Sequence, residues 1–207
     1  MSQTVKATRD RILDAGLDLL SASGFAGVTI GVLANHVGMS KSGLFAHFKS
    51  KEDIDIALLE RMVDVAHKHV VVPAMRAQEG LSRLTALVEN WFGWSTKAGL
   101  VGGCPAAAGM FELDDVEGRV REKLLELEKQ WNEMLKQFIA ESIATGDLRK
   151  DLDIDQFIWE LMGFYLSHHA SRRFMRNRDA NMRARKAFQG LIDRSRAMGS
   201  KRTAKAR

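Results

Sequence analysis

At 207 residues, with 45% hydrophobic and 28% charged side chains, the chain can bury one large or two small cores and is too apolar for a disordered polymer. Its one cysteine, Cys104, excludes an internal disulfide, and no run of about 18 apolar residues exists to span a bilayer; with the polar start Met1 to Asp10, this reads as a soluble cytoplasmic protein. The net charge of +5 is unevenly spread: residues 1–51 carry six basic and three acidic side chains, 52–160 twelve and twenty-one, and 161–207 thirteen and two. Basic ends flank an acidic middle, a pattern that a solvated surface produces as readily as a nucleic-acid site does.

Only two prolines, Pro73 and Pro105, and no alternating Val/Ile/Thr runs with hairpin turns predict an all-α chain. A first helix from Thr4 to Ser23 carries Ile12, Ala15, Gly16, Leu19 and Leu20 on one stripe and stops at Gly24. Thr29 caps a short helix through Val37, which Gly38 ends, and Ser40 caps a third that runs to Phe48. Ser50 and Asp53 start a long fourth helix with Ile54, Leu58, Met62 and Val65, which Pro73 kinks or ends, so a domain boundary falls inside it. Leu81 to Lys97 reads as a further helix and 100–118 as a glycine-rich loop interrupted by Pro105. Val120, Leu124, Leu127, Trp131, Leu135 and Phe138 then mark a long helix broken at Gly146. Two more follow, Asp155 to Arg178 and Ala180 to Ala197, before a small, basic tail.

The informative stretch runs from Thr29 to Phe48. A helix-turn-helix needs a small residue where its helices cross, a glycine at the turn and apolar residues that set the angle; Ala34, Gly38, and Leu33, Val37 and Leu44 supply these. Its second helix must begin with short polar residues that enter the major groove, and Ser40, Lys41, Ser42 and Gly43 meet that demand.

With Gly24-Phe25 and Thr29 before it and His47-Phe48 and Ser50-Lys51-Glu52-Asp53 after it, this segment resembles the TetR (TetR/AcrR) family of transcriptional regulators over residues 8–60. The resemblance implies a three-helix N-terminal helix-turn-helix domain at 6–66, a helical-bundle ligand-binding and dimerisation domain at 67–197, and a disordered basic tail at 198–207. It implies a homodimeric repressor that binds a double-stranded, palindromic DNA operator and is released by a small, largely apolar effector, with no cofactor, metal, membrane or catalytic role. The DNA-facing set it implies is Thr29, Ser40, Lys41, Ser42, Gly43, Phe45, His47 and Lys51, of which Lys41 and Ser42 read base edges while Thr29, His47 and Lys51 hold phosphates. Family members usually carry tyrosine where this chain has Phe45, and a phenyl ring cannot donate to phosphate; stacking on a sugar or thymine methyl remains. Lys51→Ala is then expected to lower the salt slope of DNA binding by about 1.

Trp91, Trp94, Cys104, Phe111, Trp131, Phe164 and His168 are the candidate effector pocket, with Phe92 and Tyr165 beside them; core packing accounts for the same aromatics. Phe157, Leu161, Phe188, Leu191 and Ile192 on the last two helices are the candidate dimer interface, although the same stripe would serve an intramolecular core. His67 with His69 and His168 with His169 diverge on helices and are not ready chelates. Gly102-Gly103-Cys104-Pro105 offers a thiol sensor whose glycines would give reagents access, set against a buried cysteine acting as a small hydrophobe. The rival functions are a non-specific architectural DNA binder, from the basic tail, and an enzyme of unknown type on the helical domain.

Overall fold

The computed structural model describes residues 3–197, with side chains from residue 5 onward. The basic tail at 198–207 lies outside the described residues. Among those described, the chain is helical throughout and carries no strand beyond one isolated bridge between Leu148 and Arg196. None of the helices among the described residues is long and apolar enough to cross a membrane.

The helices are α1 (Gln3–Gly27), α2 (Ile30–Val37), α3 (Lys41–Phe45) and α4 (Lys51–Ala66), then a π-turn (His67–Val71) and α5 (Val72–Ala74). They continue as α6 (Leu81–Trp91), α7 (Trp94–Lys97), α8 (Pro105–Glu112), α9 (Arg119–Ala144), α10 (Ile154–Arg173) and α11 (Ala180–Ser195). Three of the expected caps form: Thr29 accepts from the Val32 amide, Ser40 from Gly43 and Ser50 from Asp53. The long predicted fifth helix is instead two helices, because Phe92 is extended and Gly93 left-handed at φ 73°. The stretch read as a loop holds α8. Pro105 stands in its first turn, where a missing N–H costs nothing, and three alanines follow, so the proline starts a helix rather than breaking one.

Packing divides the chain into two compact units, and they do not coincide with a cut after residue 66. The first unit contains residues up to His69 together with Gly93–Lys129; the second contains Val70–Phe92 and the chain from Gln130. The first centres on Ile12, Leu17, Leu20, Leu33, Leu44, Ile54, Leu58 and Leu59, all sealed from solvent, with α8 against α1 and α4. The second centres on Leu84, Leu87, Leu135, Phe157 and Leu161 and on the packing of α10 against α11.

Within the first unit, the half-buried Glu128 meets no ion pair among the described residues, and desolvation pushes its carboxyl from 4.5 up to about 7. A raised carboxyl means that the folded chain keeps a proton which the unfolded chain releases. Its stabilising share is therefore fully present below about pH 4.5 and is lost as pH rises through 7. Urea titrations at pH 5 and pH 8 are expected to show this loss in the wild type and to show less of it in Glu128→Gln; equal losses would refute it.

Candidate functional site

The first unit presents a helix-turn-helix. Gly38 closes α2 in the left-handed region at φ 69°, ψ 35°, which a side chain rarely adopts, and its amide bonds back to the Ala34 and Asn35 carbonyls. The chain can then reverse within two residues and start α3. Leu33, Ala34 and Leu44 are buried and set the crossing of the two helices. Thr29, Ser40, Lys41, Ser42 and Phe45 are exposed on this unit, Phe45 at 46%. The Ser40 and Ser42 hydroxyls lie 3.0 Å apart, and each keeps capacity to bond a phosphate or a base edge.

Gly43 has a local reason to be glycine: a Cβ would meet the capping Ser40 Oγ at 3.3 Å and the Met39 Cε at 3.4 Å. At Gly31 a Cβ would lie 3.5 Å from Lys41 Cε, an ordinary van der Waals contact, so the lysine stem runs beside this position. His47 is half-buried with its Nδ1 buried and unpartnered, its ring 6.5 Å from that of Phe48, over which the Arg9 guanidinium sits at 5.1 Å.

Lys51 is engaged within the unit. Its ammonium is bound to both oxygens of Asp55, at 2.5 and 2.6 Å, and donates to the Phe25 carbonyl at 3.3 Å. These bonds tie the start of α4 to the end of α1. Burial pushes the Asp55 carboxyl up, Lys51 pulls it down, and Glu112 and Glu52 push it up further. Lys51→Ala leaves that carboxylate without its cation. We expect a loss of roughly 1–3 kcal/mol in urea unfolding, reduced from the fully buried case by the partial exposure of the lysine, and an unchanged salt slope. A salt slope lower by about 1 with unchanged stability would restore the phosphate role.

The expected effector residues are divided between the two units. Trp91, Trp131, Phe164 and His168 belong to the second unit, whereas Trp94, Cys104 and Phe111 belong to the first. In the second unit Trp91 stacks on Tyr165 with centroids 4.0 Å apart and planes 14° apart, and Trp131 tilts against Trp91 at 4.9 Å. Phe92 lies 6.5 Å from both Trp91 and Tyr165. Phe164 is half-buried, one position before Tyr165. His168 packs 5.5 Å from Phe92 and commits its Nε2 to Asn181 Oδ1 at 2.7 Å, joining α10 to α11; burial holds its pKa below the usual value, against the Asn181 bond. Two atoms missed in the sequence stand out on α9: Trp131 Nε1 and Asn132 Oδ1 are buried without a hydrogen-bond partner.

In the first unit Trp94 and Cys104 are core residues, and Phe111 is 65% exposed and lines no interior. Gly102 and Gly103 do not open a path to the thiol. Their amides bond the Ser21 Oγ and carbonyl, each at 2.9 Å, and the missing side chain of Gly102 lets the two backbones touch. Among the described residues no three of His, Cys, Asp and Glu gather as metal ligands.

The expected dimer stripe lies in the core of the second unit. Phe157, Leu161, Phe188, Leu191 and Ile192 are buried within one chain, where α10 meets α11. The opposite face of α10 carries Trp159 at 76% and Phe174 at 87% exposure, with Gly163, Ser167 and Ala170 exposed between them at helical spacing. Nothing in the sequence around Leu161 tells the two faces apart, but apolar residues on both sides of one helix are a signal that both are covered.

Comparison with known proteins places these features. The profile of bacterial regulatory proteins of the tetR family matches residues 12–58, and that of the tetracyclin repressor-like C-terminal domain matches residues 80–188. The chain is similar to the nucleoid occlusion factor SlmA of Sodalis glossinidius (strain morsitans), 29% identical over 136 residues that make up 65% of this chain and 69% of that protein. Among solved structures it is similar to a TetR transcriptional regulator from Chloroflexus aurantiacus, with a TM-score of 0.82 at 22% identity over 93% of this chain and 96% of that one. FadR from Bacillus subtilis, solved with stearoyl-CoA, aligns with a TM-score of 0.72 at 19% identity over 89% and 97%. At these identities the structural likeness shows the fold.

Proposed function

This chain belongs to the TetR family of bacterial regulators, and from that premise we propose that it is a repressor which binds a pseudo-palindromic operator as a homodimer and leaves it when a small, largely apolar effector binds. The observation that carries the DNA half is the pair of short helices whose second begins with exposed Ser40, Lys41 and Ser42. Lys41 and Ser42 read bases, Thr29 and His47 hold phosphates, and Phe45 packs on the sugar or a thymine methyl. One such element reads few base pairs, so a two-fold pair spaced about 34–36 Å is needed for specificity. The face of α10 with Trp159, Gly163, Ser167 and Phe174 is the dimer surface, because its exposed aromatics flank a notch of small residues that can accept an indole from a second copy.

The effector half rests on the second unit. Trp91 and Tyr165 offer a stacked aromatic surface with Trp131 tilted against it, and the unpartnered Trp131 N–H supplies one donor. The stearoyl-CoA of Bacillus subtilis FadR makes long-chain acyl-CoA the first class to try. Effector binding is expected to change tryptophan fluorescence, and Trp131→Phe, which keeps an aromatic ring and loses the donor, is expected to weaken it about fivefold to tenfold. An unaltered affinity removes the Trp131 N–H from the site.

The test of the whole reading is to incubate the purified full-length chain with fragments of its source genome and to sequence those retained. A recurrent pseudo-palindrome, retained against excess random duplex and released by effector, is the expected result. Equal retention of random DNA would favour an architectural binder, and no retention even at low salt would leave the enzyme alternative standing.

A further inference from the structure

The two amides that follow the kink in α1 have lost their helical partners. Gly24 takes φ 70° and ψ −176° there, which breaks the run of i to i−4 bonds and turns the Phe25 and Ala26 N–H groups outward. The Glu112 carboxylate at the end of α8 accepts both, Phe25 N at 2.9 Å and Ala26 N at 2.7 Å. A Cβ on Gly24 would sit 2.4 Å from Glu112 Oε2, so the carboxylate reaches this position only over a glycine. Phe25 is held on its other sides as well. Its carbonyl accepts from Lys51, its ring is buried, and a Cβ on Gly109 of α8 would stand 2.8 Å from Phe25 Cε2.

Phe25 is thus a fixed node from which the chain enters the recognition motif. Val28 N bonds the Phe25 carbonyl at 3.3 Å, and Thr29, which caps α2, follows at once. We propose that Glu112, far outside the helix-turn-helix in sequence, is a positioning residue for operator binding, acting through the end of α1 on the entry to α2. The inference rests on the DNA-binding reading above. Glu112 is an anion and is not itself a DNA contact; it fixes where α2 and therefore α3 point.

The experiment uses the full chain with Glu112→Ala, which removes both acceptors, and Glu112→Gln, which keeps one. Backbone amide exchange at Phe25 and Ala26 is expected to quicken in both. Operator affinity is expected to fall about tenfold in Glu112→Ala and less in Glu112→Gln, with random-duplex affinity and the salt slope unchanged. A loss of mere stability would lower operator and random binding together, and that outcome overturns the proposal, as does operator binding within about twofold of wild type in both variants. If Glu112→Ala fails to fold by circular dichroism, Glu112→Gln decides by the same ratio, and failure of both assigns Glu112 to folding and overturns positioning. Wild-type protein that binds no DNA refutes the functional reading itself, whereas wild-type binding matched by the variants refutes this inference alone.

Discussion

Gly102→Ala is expected to cost about 3 kcal/mol or more of stability, which for a chain of this size lowers the melting temperature by roughly 6–12 °C. A Cβ at this position would stand 1.7 Å from the Ser21 carbonyl oxygen and 2.0 Å from its carbon. Both are backbone atoms inside α1 and cannot rotate aside, so relief requires the segment around 101–104 to lift from the helix. That movement breaks the bonds from Gly102 N to Ser21 Oγ and from Gly103 N to the Ser21 carbonyl, and it strands amides that folding has taken out of water. The internal control is Gly190→Ala on α11, where the added Cβ meets only the tip of Arg194 at 3.9 Å and helix propensity favours alanine by about 1 kcal/mol. Thermal and urea unfolding of the two variants should move in opposite directions. If Gly102→Ala unfolds like the wild type, the close approach of the two backbones is wrong.

Trp159→Glu is expected to leave the fold of each chain intact and to abolish the dimer, lowering operator affinity by on the order of 10²–10³-fold as one of the two linked half-site contacts is lost. The indole is 76% exposed, so its removal opens no cavity in the chain that carries it. A carboxylate in its place must be desolvated if the same surface is to close on a second copy. Sedimentation velocity gives the oligomeric state, and titration of the retained operator gives the affinity. Phe188→Ala separates core from interface: this ring is buried between α10 and α11, and its truncation should cost about 3–5 kcal/mol of chain stability. A Trp159→Glu protein that remains dimeric with wild-type operator affinity would move the interface elsewhere.

The helix-turn-helix was legible because its determinants are local. Thr29 and Ser40 cap helices through amides three residues away, and Gly38 turns left-handed where two helices must meet within two residues, so residue type and spacing carry the geometry. Helix positions and the all-α class follow from the same short-range periodicity. Where the reading missed, the cause was a rule applied without its context. Pro105 reads as an interruption, yet a proline in the first turn begins a helix, and the sequence does not show the positive φ at Gly93 that ends one helix and starts another.

Sequence alone, then, determined the family, the helical class and the recognition element, because each depends on contacts between residues a few positions apart. Tertiary structure decided the rest. Glu112 meets Phe25 and Ala26 across 86 and 87 residues, Gly102 meets Ser21 across 81, and no local pattern announces either partner. Lys51 looks the same in sequence with or without a partner in the fold, and only the tertiary structure pairs it with the buried Asp55. On α10 the sequence shows apolar residues on both faces, and only the packing of α11 reveals that Phe157 and Leu161 are spent inside the chain while Trp159 stays exposed. Burial is a property of what the rest of the chain brings to a surface, and the spacing of residues along one helix does not contain it.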